Sequence, residues 1–517
     1  MKDQPNFIIF LSDQQRWDTM TYAGVMEGIT PNLDRLGAEG TLFENCFSTQ
    51  PLCGPARACL QTSRYASETG NNINGHALPH GINSIATLFN DNGYDTAYIG
   101  KWHLSKDYYS FEMRDSFDVP PEDRGGYSYW MASNLLEYTS HAFSGHVFDN
   151  NNHPIEFNSY RPDAITDMAI DYLEHRASDK PVFLMISQLE PHHQNDMNNF
   201  YGPEGSIERF SDRLLPPDLE ALGGNATASF PDYLGACYAL DENVGRLERF
   251  LKSRGEWENT IFVYTSDHGC HFQTRNSEYK RSCHDSSIHV PLVIHGGCFN
   301  GRGNVKTLVS LLDVPSTILA SAGIEIPMNY RGLDLRKVID GTEAGRTSVF
   351  AQITEAEAAR TVRTTKWKYC IKSPNVLDAC MVASPQQYDE EYLYDLETDP
   401  YELNNLIGKN QYEKEKEELR NLIISYISEV EHITPSIRLF SDIPPIGTYH
   451  PEMSMNSLIE DPKSAKLLEK YFSITDKKQL GLGGFMSAGI VIGLRTARGD
   501  FDYDTANAFF EELNTLR

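Results

Sequence analysis

A chain of 517 residues is too long for one ordinary domain, and 40% hydrophobic with 23% charged residues suits globular units with sizeable cores. The formal net charge of −27 argues against a nucleic-acid surface and against an anionic membrane. The nine cysteines are odd in number and form no CxxC pair, so neither a disulfide scaffold nor a structural zinc site is expected. An anionic substrate would need a locally reversed field, from a metal or from clustered Lys and Arg. Met1-Lys2-Asp3-Gln4-Pro5 does not read as a signal peptide, and no long apolar stretch reads as a membrane span. The chain as given is therefore expected in the cytoplasm, or in the periplasm or outside the cell if a leader has been removed.

Asn6 to Leu11 is a continuous apolar run, the pattern of a strand buried on both faces. It ends in Ser12-Asp13-Gln14-Gln15, and the carboxyl end of such a strand is where open α/β sheets bind ligands. Thr30-Pro31 opens a helix. Gln50 to Arg64 reads as loop then helix, with Gly54 and Pro55 as the break and Pro55 at a first helical position. That places Cys53 at a helix N-terminus, where free N–H groups favour negative charge, with Arg57 about one turn further in. Such a site suits an anion or a nucleophile; a lone cysteine in a turn is more often a small packed residue.

Tyr94 to Ile99 predicts a strand that delivers Gly100-Lys101-Trp102-His103. From Tyr108 to Trp130 the residues Tyr108, Tyr109, Phe111, Phe117, Tyr127, Tyr129 and Trp130 interleave with polar ones, a loop that would stack on a sugar or pack over the sheet. Asp163 to Leu173 has a helical period, and Pro181 to Ile186 is a strand leading to Glu190-Pro191-His192-His193. Tyr233 to Leu251 is a long amphipathic helix, and the strand Thr260 to Tyr264 ends in Ser266-Asp267-His268-Gly269. Alternating strands and helices predict an α/β fold with a largely parallel sheet.

Past Gly341 the texture changes. Trp367 to Ile371 and Glu391 to Asp395 look like antiparallel strands, and Glu413 to Val430 is a charged amphipathic helix. The expected division is residues 1–345, a catalytic domain, 346–435, a small α+β domain, and 436–517, an extension. Gly481 to Gly484 follows no strand and does not read as a nucleotide loop, so the extension is expected to be a cap or a homo-oligomer contact.

Cys53-Gly54-Pro55-Ala56-Arg57 resembles the sulfatase signature. Asp13, Gly100-Lys101-Trp102-His103-Leu104, Pro191-His192 and Thr265-Ser266-Asp267-His268-Gly269 are similar to sulfatase motifs in the same order. So are Lys280 ahead of His284-Asp285, Val290-Pro291-Leu292, and Leu393 to Pro400, so the likeness spans roughly residues 5 to 430. The chain is thereby identified as a member of the type I sulfatases of the alkaline phosphatase superfamily. The resemblance implies a large, mostly parallel sheet sandwiched by helices, with a smaller C-terminal α+β domain. It implies hydrolysis of a sulfate ester by formylglycine made from Cys53, which requires a formylglycine-generating enzyme as partner.

By the same resemblance, Asp13, Gln14, Asp267 and His268 would hold a divalent cation together with residue 53. Gln14 and His268 depart from the usual three carboxylates and an Asn, as in the choline-sulfatase and phosphonate-monoester-hydrolase branches. Oxygen donors suit Ca²⁺, while an imidazole admits Mn²⁺ or Zn²⁺. Arg57 would orient the nucleophile, Lys101 and Lys280 would grip sulfate oxygens, His103 would take the proton that lets sulfate leave, and His192 would serve the leaving oxygen. His193 rivals His192, and His271, His284 and Trp130 are candidate substrate contacts. The favoured substrate is a sulfated carbohydrate or other sulfated small molecule. The alternatives are a phosphonate monoester or phosphodiester hydrolase, and a catalytically inactive homologue that binds sulfated ligands.

Overall fold

The computed structural model describes residues 4–106, 117–443 and 447–516. The chain divides into two compact units. The first comprises Met1–Glu220, Asn225–Cys270 and Asp285–Val349. The second comprises Ala221–Gly224, His271–His284 and Phe350–Arg517.

A twelve-stranded sheet runs through the first unit. The elements that carry the site are β1 (Asn6–Ser12), α1 (Cys53–Thr62), β2 (Asp95–Lys101), α2 (Arg161–His175), β3 (Val182–Ser187), α3 (Ala226–Ser253) and β4 (Thr260–Ser266). At the centre, β1 lies between β3 and β4 and β2 lies beyond β3, all parallel. The flanks depart from the parallel expectation: Leu292–His295 and the hairpins after Ser140 pair antiparallel, so the sheet is mixed. Short connections there return the chain directly, whereas each central parallel step has room for a crossover.

Alternation along β1 explains its continuous apolar run. Phe7, Ile9 and Leu11 belong to one buried cluster and Ile8 and Phe10 to another, so the strand is covered on both faces. Helices α2 and α3 help to cover the second face, through Ile165, Ala169 and Leu173 and through Leu240, Val244, Leu247 and Leu251. The register aligns the strand ends: Ser187 pairs with Leu11 and with Gly100, and Ser12 pairs with Ser266. Asp13, Lys101 and Asp267 therefore leave or end their strands in one row.

In the second unit, five strands lie in chain order from Ser348–Ile353 to Ser436–Arg438. Three central strands are antiparallel and the last pairs parallel, Tyr388 with Ile437. That last strand ties the start of the extension to the sheet, so residues 436–517 group with 350–435 rather than standing apart. Beyond it, Met455, Leu458, Leu468, Ile492, Phe509 and Leu513 form a helical core within this unit. Among the described residues, no helix is long and apolar enough to cross a membrane.

Candidate active site

Helix α1 begins at Cys53, two residues ahead of the predicted start, so Pro55 is its third residue. Proline is tolerated there because first-turn N–H groups have no intrahelical partner. Gly54 is favoured by close approach: a Cβ would stand 3.0 Å from Asn74 Oδ1 and 3.1 Å from the His103 carbonyl. The whole helix is buried. Gly100, one residue before the end of β2, has φ +111° and would place a Cβ 1.9 Å from the Ser187 carbonyl. Only glycine lets the two strand ends close this tightly.

Around Cys53 the strand ends deliver charge. Its Sγ lies 3.3 Å from His268 Nε2, 3.7 Å from Asp13 Oδ1 and 3.8 Å from Lys101 Nζ. The Lys101 ammonium sits 2.9 Å from Asp13 Oδ2 and 3.3 Å from Glu137 Oε1. Its backbone is fixed as well, because the Lys101 carbonyl accepts from Arg57 Nη1 at 2.8 Å, Tyr98 OH at 2.6 Å and Ser187 Oγ at 2.7 Å. Arg57 donates through Nη2 to Asp13 at 3.0 Å and through Nε to Asp267 at 3.1 Å. These hydrogen bonds make Arg57 the clamp that holds the two aspartates together.

Burial and the nearby Cys53 would raise the Asp13 carboxyl, but Lys101, His192 and Arg57 outweigh them and hold it well below the ordinary range. Asp267 moves the other way: burial and repulsion from Asp13 push it up to about 6 against the pull of His268 and Arg57. Two buried aspartates with opposite shifts need a further positive charge to be ionised together.

A metal ion fits this donor set. Ligand atoms of Asp13, Cys53, Asp267 and His268 all lie within 4.8 Å of one another and all four residues are buried. His268 Nδ1 donates to the Gly269 carbonyl at 3.0 Å, which turns Nε2 toward Cys53 and Asp13, where it would serve as a metal ligand. Gln14 commits its amide Nε2 to Cys270 Sγ at 3.2 Å, while its Oε1 is buried with no hydrogen-bond partner among the described residues.

The other predicted residues fall in several places. His103 and His192 are buried in the first unit and add to the field on Glu137. His192 Nδ1 lies 2.5 Å from the His193 carbonyl, so that nitrogen carries the proton. His193 stacks on His192 at 4.8 Å between ring centres. Trp130 is corrected: it is wholly buried, 5.4 Å from the Tyr98 ring and 5.3 Å from Trp102, and offers no face to a substrate. Tyr108, Tyr109 and Phe111 lie outside the described residues. Lys280, His271 and His284 belong to the second unit. There His271 Nε2 meets the Lys280 carbonyl at 2.8 Å and His284 Nε2 meets Tyr394 OH at 3.1 Å. Burial, then Arg275, Lys368 and His271, push His284 well below the ordinary histidine value, so it is neutral.

Glu137, Ser187 and Asn74 are site residues that the motifs do not announce. Glu137 follows the short strand Tyr129–Ser133, which reads as part of a loop in the sequence, so no strand end points to it.

An α/β sheet with this order, presenting paired aspartates and a cysteine-bearing helix start at its carboxyl edge, is the arrangement expected from the resemblance to the alkaline phosphatase superfamily. The model of the family described as Sulfatase matches residues 5–324, and one described as N-sulphoglucosamine sulphohydrolase, C-terminal, matches 277–429. An N-acetylglucosamine-6-O-sulfatase of Bacteroides thetaiotaomicron is 27% identical over 500 residues, covering 81% of this chain and 86% of that protein. An ulvan-active sulfatase of Formosa agariphila is 31% identical over 438 residues, covering 80% of each. A solved structure described as in complex with its substrate D-glucosamine-2-N,6-O-disulfate shares the fold, with TM-score 0.66, 24% identity, and 84% of this chain and 99% of that one covered. The chain belongs to the sulfatase family. It is a sulfatase, an enzyme that hydrolyses sulfate esters.

Proposed function

We propose that this sulfatase cleaves a sulfate ester on a carbohydrate, with residue 53 acting as formylglycine made from Cys53 beside a bound divalent cation. The observation that carries the nucleophile assignment is the surroundings of Cys53: an ammonium, a carboxylate and an imidazole nitrogen within 3.8 Å of its sulfur, where a packed thiol would have apolar neighbours. The carbohydrate is supported by the relatives named for N-acetylglucosamine-6-O-sulfate and for ulvan.

Asp13, Asp267, His268 and Gln14 Oε1 would hold the cation, and mostly oxygen donors favour Ca²⁺ over Mn²⁺ or Zn²⁺. When bound, it supplies positive charge and Lewis acidity next to residue 53. Arg57 keeps the two aspartates in place, and Lys101 offers its ammonium to the anionic oxygens on sulfur. By its motif, His192 would protonate the departing alcohol oxygen. One hydroxyl of a hydrated aldehyde at position 53 would attack sulfur as the S–O bond to the alcohol breaks; the second hydroxyl would then give its proton to His103, the C–O bond to the sulfate would break, and the carbonyl would re-form.

The test is mass spectrometry of the Cys53 peptide from protein made with and without a formylglycine-generating enzyme, paired with turnover of aryl sulfate and 6-sulfated N-acetylglucosamine. Aldehyde at position 53 and turnover should appear together. Full turnover with an intact thiol would overturn the assignment. A second reading, a phosphonate monoester or phosphodiester hydrolase, is favoured by one feature, the Gln14 and His268 donors. Parallel kcat/KM values on aryl sulfate and aryl phosphodiester decide it.

A further inference from the structure

Glu137 is a carboxylate in a place that a site for anions has reason to avoid. It is 2% exposed, and its Oε1 lies 3.3 Å from Lys101 Nζ. That same ammonium is 3.8 Å from Cys53 Sγ, so the carboxylate stands within about 7 Å of the nucleophile position. Its other oxygen, Oε2, is buried and has no hydrogen-bond partner among the described residues. Burial would raise it, but Lys101, then His103 and His192, hold it below the ordinary range, so it is ionised. A carboxylate kept only to brace Lys101 would have no reason to carry an unsatisfied buried oxygen.

The balance of fixed charge gives it a use. Around residue 53 the first unit places the carboxylates Asp13, Asp267 and Glu137 against the cations Arg57 and Lys101. Whatever total these groups and a divalent cation give, Glu137 makes it less positive by one charge. A phosphate monoester dianion has twice the charge of a sulfate monoester and so loses more from that buried carboxylate. Without Glu137 the site would be more positive by one, and the preference would move toward dianions.

We propose that Glu137 is a specificity-determining residue that tunes this site to singly charged esters and against dianions. The proposal rests on the function proposed above. It is a statement about charge, not about sulfur: a phosphodiester, also a monoanion, is tolerated, while a phosphate monoester and the product sulfate dianion are disfavoured. Rapid loss of sulfate after hydrolysis follows from the same repulsion.

The test is Glu137→Gln on the full chain, matured with a formylglycine-generating enzyme. At that separation one charge is worth about tenfold or more. The ratio of kcat/KM for aryl phosphate over aryl sulfate should rise by about that factor, while the ratio for aryl phosphodiester over aryl sulfate stays within about threefold. Calorimetric binding of inorganic sulfate should tighten by about tenfold. A merely structural role would lower all three esters together, and unchanged ratios with unchanged sulfate affinity overturn the proposal. If the variant does not fold, the unaltered enzyme carries the test. Its kcat/KM for aryl phosphate, referred to aryl phosphodiester at each pH, should fall as the phosphate loses its second proton, and a flat ratio overturns the proposal. Absence of sulfate turnover in the unaltered enzyme would count against the proposed function, while the calorimetric comparison still judges Glu137.

Discussion

Two buried arginines in the first unit answer the same electrostatic problem in different ways. Arg16 donates through Nε at 2.8 Å and Nη2 at 2.6 Å to Asp18, through Nη1 at 3.0 Å and Nη2 at 2.8 Å to Asp218, and through Nη1 at 2.8 Å to the Cys270 carbonyl. Every donor has an acceptor, and the cluster is closed. Arg57 also binds two aspartates, but its surroundings keep buried oxygens unused, Oε1 of Gln14 and Oε2 of Glu137. A closed cluster holds the fold; an open one, where acceptors outnumber donors, is built for something that arrives later. Arg16 and Asp13 leave the same strand only three residues apart, so the two kinds of cluster are neighbours with different work.

The largest effects should separate them by readout. Cys53→Ala and Lys101→Ala are each expected to lower kcat/KM for aryl sulfate by at least about a thousandfold, since each removes a group at the reacting atoms. Cys53→Ala should leave the melting temperature within about 3 °C of the parent, the sulfur being small. A Cys53→Ala protein with near-full activity would remove residue 53 from the chemistry.

The closed cluster should show the opposite pattern. Arg16→Met leaves Asp18 and Asp218 buried without their cation, at a cost of about 3–5 kcal/mol and a melting temperature lower by on the order of 10 °C. Turnover per folded molecule should stay within about tenfold of the parent, because Arg16 donates to no residue around Cys53. A large loss of kcat with unchanged melting would mean that Arg16 belongs to the site.

The sequence shows the open cluster better than the closed one, for a physical reason. Strands buried on both faces appear as unbroken apolar runs, and the polar residue that ends each run stands out, which is how Asp13, Lys101 and Asp267 are found. Cys53 is found because Gly54 and Pro55 mark the turn into its helix. Glu137 and Asp218 sit in short segments, Leu136–Thr139 and Pro217–Leu222, too brief for any period to show. Trp130 is misread because an aromatic among polar neighbours has one pattern whether it lines a groove or, as here, fills a strand face against Tyr98 and Trp102. The antiparallel flanks are hidden because a half-exposed hairpin strand and a loop look alike at this length.

Asp241 sharpens the comparison from the other side, as a buried carboxylate with no ion pair among the described residues. On α3 it accepts the Asn32 N–H at 3.0 Å, the Asn32 side-chain amide at 2.9 Å and the Leu33 N–H at 2.8 Å, serving the exposed donors at the start of the helix Pro31–Glu39. Burial outweighs these neutral donors, and the carboxyl is pushed from 3.8 up to about 6. In the window between about pH 4 and pH 6 the folded chain therefore holds a proton that the unfolded chain has released. Stability from this group is full below the window, falls as pH rises through it, and is lower by about 2–3 kcal/mol above it. Asp241→Asn cannot titrate, so its urea midpoint should lack that part of the decline and should exceed the parent's at pH 8. Equal pH slopes in the two proteins would show that three neutral donors suffice to keep this buried carboxylate charged.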